Sequence, residues 1–561
     1  MKHIKKLASL LLAVVMILAL ATTAFATGTT TKKGEGSFTV TITKDSTDKA
    51  NHTYEAYQIF TGDLTVTGDT KTLSNVEWGT GIDQTKVSAL ITALNAIAGK
   101  PYNDIAATAT AKDVQEALSK VNDNTTDSAV EKAIAEAFYS ALSNTTSGTG
   151  SNTGVSGLTA GYYLIKDGDG NLAGDTTGKN DKPGAKTRYI LQVVGDVTVT
   201  EKADVPTVTK KVKEKNDTTG VVTDWQDAAD FDLNDTISYQ ITGTLPTNFL
   251  DYKTYKTYTF TDKLSVGLDL PAAGDVKVYL VKADDTDNTR TDITSNFDVT
   301  LDTTNNKLTV SLKTGVDLRD IATAATDKIV VEYTSKLNSR AVIGSTGNPN
   351  TVDLTFSNNP NAAGSGDYDT TPEDKVTVFT YKISANKTDK DGNALSGAGF
   401  TLYKYVQTAA ADAANDTPAT YAWQAVGSEV TGVTTFNFER VDAGVYKLVE
   451  TTVPDGYNKA DDVYFEVVAS YDTTADDPKL TALDVYASDA TGIKGNKISE
   501  GATATFTTAV NTGTVTTSIK NFQGATLPTT GGIGTTIFYV TGAVLALGAG
   551  ILLITKRRMS R

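Results

Sequence analysis

Cysteine is absent from this chain of 561 residues, which excludes disulfides, thiolate metal sites and cysteine nucleophiles. Histidine is nearly absent, with His3 and His52 alone. His3 falls in a segment expected to be removed. The one histidine left builds no multi-His zinc site, and no Ser-His-Asp triad beyond its own position. Proline is scarce at 12 residues. Basic residues are outnumbered, 51 against 66 acids, for a net charge of −15. Such an acidic chain argues against nucleic acid or anionic lipid as a partner. No constellation for a cofactor, or for an enzyme acting on other molecules, stands out. What is present, 39% apolar and 8% aromatic residues, is enough to bury cores, so wholesale disorder is excluded. The length allows about three to five domains.

Both ends read as processing signals. Lys2, Lys5 and Lys6 precede the mainly apolar run Leu7 to Leu20, and Ala24-Phe25-Ala26 supplies small residues for cleavage. Residues 1–26 are therefore expected to be a secretory signal peptide. Near the other end, Ile533 to Ile554 is apolar and long enough to span a bilayer. Lys556, Arg557, Arg558 and Arg561 follow it, as expected of a cytoplasmic tail. Just before it stands Leu527-Pro528-Thr529-Thr530-Gly531. This ordered triple resembles the cell-wall sorting signal of Gram-positive surface proteins. The resemblance implies a sortase cut between Thr530 and Gly531, with the Thr530 carboxyl passed to an amine. Losing three lysines at the front and four basic residues at the back takes the net charge from −15 to −22.

Between the signals, short alternating runs such as residues 37–43, 307–312 and 328–333 are separated by Asp, Gly and Asn turns. Period-2 alternation predicts half-buried antiparallel strands in a mainly β chain of sandwich domains. The first part differs. Val87, Leu90, Ile91, Leu94 and Ile97 recur at helical spacing, as do Val130, Ile134, Phe138 and Leu142. These predict helices inserted in a β domain, with the Ser/Gly/Thr/Asn stretch 143–156 as a loop. Punctuation sets the expected modules at 27–202, 203–372 and 373–525, followed by the sorting segment 526–561. Asp167-Gly168-Asp169-Gly170 and Asp389-Lys390-Asp391-Gly392 could hold Ca²⁺, but such sequences are more often plain turns, and no metal site is assigned.

The most specific motif lies in the third module. Residues 387–403 read KTDKDGNALSGAGFTLY, and residues 446–457 read YKLVETTVPDGY. The pair resembles the B-type, Ig-like domain of collagen adhesins and pilins. There a first-strand Lys forms an amide with a last-strand Asn, assisted by the Glu of a Tyr-x-Leu-x-Glu-Thr-x-x-Pro-x-Gly-Tyr box. Tyr446, Leu448, Glu450, Thr451, Pro454, Gly456 and Tyr457 fill that box. The resemblance then implies Lys387 and Asn521 as the partners, with Glu450 assisting. An ammonium has no lone pair, so the Lys must be neutral to attack, and burial favours the neutral forms of amine and carboxyl alike. The acid shuttles protons, and the fold makes the reaction intramolecular.

The second module repeats the logic. Residues 206–212, 257–264 and 350–360 resemble the A-type isopeptide domain of pilus shaft proteins, implying Lys210, Asn350 and the assisting Asp262. Strand alternation points Lys210 and Lys211 to opposite faces, and Lys210 shares its parity with Val208 and Val212. The first module shows no equivalent trio: no Glu follows residues 161–167 at the needed place, and no cross-link is expected there.

Shaft pilins place an acceptor lysine in a Val-x-Val-Tyr-Pro-Lys-Asn pattern before their second domain. Here residues 197–204 read VTVTEKAD, so Val-x-Val and Lys202 match while Tyr-Pro and Asn do not. Lys202 is the expected acceptor. The whole chain thus resembles the major shaft subunit of a Gram-positive sortase-assembled pilus. Implied partners are a class C pilus sortase, a housekeeping sortase, minor pilins, other copies of the chain and peptidoglycan. The receptor is not implied. A monomeric wall-anchored adhesin using the same modules as a stalk is the alternative, and Lys202 discriminates, since an adhesin needs no acceptor amine.

Overall fold

Alternating side chains make this a molecule of sheets. In the computed structural model, the described residues run from 29 to 524, together with 542–547, 549 and 556. Residues 32, 68–69, 122–127, 169–171, 173–182, 201–203, 284, 286–288, 361–366, 412–416 and 502–504 are not among them. The signal peptide, Lys202 and the LPTTG motif therefore lie outside the described residues, as does most of the apolar stretch 533–554. Among the described residues no helix is long and apolar enough to cross a membrane.

The first module is one nine-stranded sheet. Its second strand Phe38–Thr43 pairs in parallel with its last strand Val197–Thr200, and the 15-residue strand Thr53–Thr67 runs through the middle. Helices Val87–Asn95, Ala111–Leu118 and Ser128–Ser140 are inserted where helical spacing was read, with Ala111–Leu118 in addition. That helix starts on a capping box, Thr110 with Asp113, which satisfies the first free amides. Leu90, Leu94, Val114, Ile134 and Phe138 pack with Ile59 and Phe60 of the sheet in one core, so the helical stripes are core packing.

The stretch 143–156 corrects the loop expectation. It contains strand Gly148–Ser151 and the start of strand Gly154–Leu158. Its glycines are needed by close approach rather than by flexibility. A Cβ on Gly150 would lie 1.9 Å from the Gly154 carbonyl oxygen, and one on Gly154 (φ +120°) would lie 1.9 Å from that of Val40. Composition alone reads such a segment as a loop, because the strand that presses on Gly154 is remote in sequence.

The second module is a sandwich. A five-stranded sheet carries Val208–Lys213, Thr236–Gly243 and Lys328–Lys336; a seven-stranded sheet carries Tyr258–Leu264, Asn348–Ser357 and Asp374–Phe379. Strand Asp374–Phe379 pairs with Asn348–Ser357 and lies beyond the expected break at 372, so the second sheet continues past that point. The strand bearing Asn350 is therefore not the last one. The third module pairs a four-stranded sheet with a seven-stranded one. Its first strand Tyr381–Thr388 runs parallel to its last, Thr514–Lys520, with Lys387 opposite Ile519.

Candidate functional site

In the second module, strand Val208–Lys213 buries Val208, Lys210 and Val212 and turns Lys211 outward. Lys211 pairs there with Asp227. Lys210 is therefore the inward member of the doublet. Its strand lies in one sheet, while Asp262 and Asn350 stand on adjacent strands of the facing sheet, where Leu264 opposes Asn350 and Asp262 opposes Val352. All three side chains are 0% exposed. Lys210 Nζ donates to Asp262 Oδ2 at 2.8 Å. The structure adds a fourth member, Tyr333 on strand Lys328–Lys336. Its hydroxyl donates to Asp262 Oδ2 at 2.5 Å and accepts from Lys210 Nζ at 3.0 Å and Asn350 Nδ2 at 2.8 Å. Tyr239 stacks on Tyr333 at 5.3 Å, and Lys210 Nζ sits over both rings at 5.0 and 5.1 Å.

Burial pushes the Lys210 ammonium below its usual range, against the pull of Asp262. Burial likewise pushes the Asp262 carboxyl up, against Lys210. Both shifts favour moving one proton across the 2.8 Å contact, leaving a neutral amine and a neutral acid beside a carboxamide. That is the protonation state a nucleophilic lysine needs.

In the third module, Lys387, Glu450 and Asn521 are each 1% exposed. Parallel pairing of the first and last strands carries residue 521 just past Lys387, and the Asn521 amide donates to the Thr388 carbonyl at 3.0 Å. Glu450 Oε1 accepts from Asn521 Nδ2 at 2.8 Å and lies 3.7 Å from Lys387 Nζ. Its Oε2 accepts from the Ala460 amide at 2.7 Å, which fixes the carboxylate. Burial lowers the Lys387 pKa. The rest of the box is a clamp. Gly456 (φ +79°) allows the turn in which the Tyr457 amide donates to the Pro454 carbonyl, and the Asn458 amide then donates to that of Phe522. The Glu-bearing strand is thereby tied to the end that carries Asn521.

The first module holds its charges differently. Buried His52 contacts Asp167 Oδ1 through Nδ1 at 2.6 Å and Asp48 Oδ1 through Nε2 at 3.1 Å. Burial pulls its pKa down, but hydrogen bonds and charge from both carboxylates win and raise it to about 10. Asp167, read above in a candidate turn, is thus an internal partner of His52, while Asp169 and Gly170 lie outside the described residues. The other turn is a local one: Asp389 Oδ1 accepts from the amides of Asp391 and Asn393, both at 2.9 Å, with Gly392 at φ +90°.

One polar centre went unread in the sequence. Lys404 of the third module is enclosed by Asp217 and Asp232 of the second and by Asp442 of its own module. Oxygens of Asp217, Asp232, Asp235 and Asp442 lie within 4.8 Å of one another, and the Lys404 ammonium is their counter-charge. An inward lysine parity, with Phe400 and Leu402, was the available signal; its partners are too far away in sequence to be read.

Residues 381–479 match the family described as a prealbumin-like fold domain, and residues 520–560 match the LPXTG cell wall anchor motif. The trypsin-resistant surface T6 protein of Streptococcus pyogenes serotype M6 is 26% identical over 440 residues, 70% of this chain and 74% of that protein. Among solved structures, the T6 backbone pilin of serotype M6 Streptococcus pyogenes aligns with TM-score 0.46 and 17% identity, over 88% of this chain and 100% of that one. The full-length major pilin SpaD of Corynebacterium diphtheriae aligns with TM-score 0.41 and 19% identity, over 87% and 98%. With a prealbumin-like domain leading into an LPXTG anchor, the chain is a cell-wall-anchored surface protein of the Gram-positive type.

Proposed function

We propose that the chain is the shaft subunit of a covalently polymerised cell-surface pilus, carrying adhesion away from the cell wall. A pilus sortase of class C cuts between Thr530 and Gly531 and joins the Thr530 carboxyl to Lys202 of the next copy. A housekeeping sortase attaches the finished polymer to peptidoglycan, and minor pilins complete it. Lys202 follows strand Val197–Thr200, which is held by its pairing with Phe38–Thr43, and precedes Asp204, whose Oδ1 accepts from the Thr247 amide at 2.6 Å. Both described flanks of the lysine are therefore anchored.

The observation that carries the reading is the pair of buried Lys, carboxyl and Asn trios in tandem sandwich modules ending in a wall anchor. Each trio forms one Lys–Asn amide and releases one ammonia, with Asp262 assisting Lys210 and Asn350, and Glu450 assisting Lys387 and Asn521. These are single events within the chain, not turnover on other molecules. A shaft bears tension along its length, and an internal amide shortens the path over which a module can extend.

The test has two arms. Intact mass of residues 27–530 should be short by two ammonias, and by one in Glu450→Ala or Asp262→Ala. Full-length chain expressed with its sortase should give a ladder of covalent polymers that Lys202→Ala abolishes. A mass with no deficit would remove the cross-links. A ladder unchanged by Lys202→Ala would move the acceptor elsewhere, and no ladder at all would leave a monomeric wall-anchored adhesin.

A further inference from the structure

The two trios differ in how the carboxyl reaches the amide. Glu450 bonds Asn521 Nδ2 directly. Aspartate is one methylene shorter, and among the described residues no hydrogen bond joins Asp262 to Asn350. The Tyr333 hydroxyl fills that gap, 2.5 Å from Asp262 Oδ2, 3.0 Å from Lys210 Nζ and 2.8 Å from Asn350 Nδ2. One oxygen touches the acid, the nucleophile and the leaving group. We propose that Tyr333 is a catalytic residue of the second module's cross-link, passing the proton from Asp262 to the departing nitrogen of Asn350. The proposal rests on the isopeptide reading above.

Asp262 takes a proton from the Lys210 ammonium. The Nζ lone pair forms the new bond to Asn350 Cγ while the carbonyl π pair moves onto Oδ1. Nδ2 then takes the phenol proton, the phenol takes the proton held by Asp262, and Asp262 recovers the surplus proton of Nζ. The Cγ–Nδ2 bond breaks, the carbonyl reforms, and ammonia leaves. Five exchangeable protons enter on Lys210 and Asn350; one ends on the amide, three on ammonia and one on Asp262. No net charge is created in the buried site. Burial and the nearby Asp262 charge hold the Tyr333 phenol well above its usual range, so it acts as a protonated relay and not as a phenolate.

Position supports the role. Tyr333 projects from the sheet opposite Asp262 and Asn350, is 3% exposed, and is held by the stacked ring of its cross-strand partner Tyr239. The Tyr252 hydroxyl, buried in the same module's core but packed against Tyr255 rather than this cluster, makes no hydrogen bond among the described residues, so Tyr252→Phe is a matched control.

The experiment is a timed cell-free synthesis of residues 27–530, read by intact mass. The third module's ammonia loss is the internal clock and the report of folding. Tyr333→Phe should slow the second module's loss by about 10²-fold or more, the range of a positioned proton donor, with the clock unchanged. Tyr252→Phe should match the parent. In D₂O the parent's second-module step should slow more than that of Tyr333→Phe. Parental rate in Tyr333→Phe, or an equal D₂O slowing in both, overturns the relay. Absence of the second module's loss in the parent overturns the underlying cross-link, and the relay with it.

Discussion

Lys404 Nζ of the third module stands 2.7 Å from Asp232 Oδ2 of the second, and equally 2.7 Å from Asp217 Oδ2. Asp442, at 2.5 Å, completes the cage, and its own amide donates to Asp232 Oδ1 at 2.8 Å. Burial pulls the Lys404 pKa down, but the charges of Asp442, Asp232 and Asp217 prevail and hold it well above the usual value. The ammonium thus joins the two modules. Replacing it with Met would strand three carboxylates in a closed interface, a change of about 3–5 kcal/mol where one partner of a buried pair is removed. Calorimetry on Lys404→Met should show the third module melting earlier and separately from the second. A single unshifted transition would mean that the joint is held by its other contacts.

Beside this cage lies a second acidic pair, Glu214 and Asp230. The Tyr471 hydroxyl donates to Glu214 Oε2 at 3.0 Å, and the Asp230 amide donates to the same oxygen at 3.4 Å. Burial, then the Asp230 charge, raises the Glu214 pKa to about 8. An unfolded Glu titrates near roughly 4.3. The folded joint therefore binds more protons than the unfolded chain between those values, and stability falls as pH rises through the window. Asp235, raised to about 6, adds to the slope at its acid end, and Asp230 and Asp442, also raised by burial, act in the same direction. From pH 6 to 8 the melting temperature of the parent should drop, and Glu214→Gln should make that drop smaller. A parent that melts higher at pH 8 than at pH 6 would contradict the assignment.

What could be read in advance followed local periodicity and spacing. The inward parity of Lys210 with Val208 and Val212 identified the buried lysine of the doublet, and helical spacing placed Val87–Asn95 and Ser128–Ser140. Lys387, Glu450 and Asn521 came from a motif whose spacing reflects parallel pairing of first and last strands. Tyr333 was hidden, since a buried tyrosine on an alternating strand reads as core, and only the facing sheet shows what its hydroxyl meets. The hairpin at 148–158 was hidden by its glycines, and the Lys404 cage by partners up to 187 residues away.

The cross-links should be visible in stability. An amide from Lys210 to Asn350 would close a loop of 141 residues counted inclusively. If it tethers as a disulfide does, the chain-entropy model gives about 5 kcal/mol. Asn350→Ala removes the amide and keeps the buried pair of Lys210 with Asp262, so it isolates the tether better than a lysine substitution. Denaturant unfolding of Asn350→Ala should lose about that amount. A loss near 1 kcal/mol, the net value of one hydrogen bond, would say that no tether was present.

The first module, for which no cross-link is expected, relies on His52. The two carboxylates that hold it also hold the segment entering strand Arg188–Val193 of the first module: Asp48 Oδ2 accepts from the Ala185 amide at 3.0 Å and Asp167 Oδ2 from that of Thr187 at 2.6 Å. Between them the Lys186 amide donates to the Asn358 carbonyl of the second module at 2.7 Å, so the imidazolium fixes a first-module segment that bonds to the second module. Its folded pKa of about 10 lies above the unfolded value of 6.5. The stabilisation is therefore complete below 6.5 and is lost progressively as pH rises through about 10. His52→Gln should cost about 3–5 kcal/mol at pH 6, as expected when a buried pair loses its cation, and should speed proteolysis within 183–187. The gap between variant and parent should close as pH approaches 10, because the parent then loses the same charge. A gap that stays constant from pH 6 to 10 would make His52 a packing residue rather than the cation that balances Asp48 and Asp167.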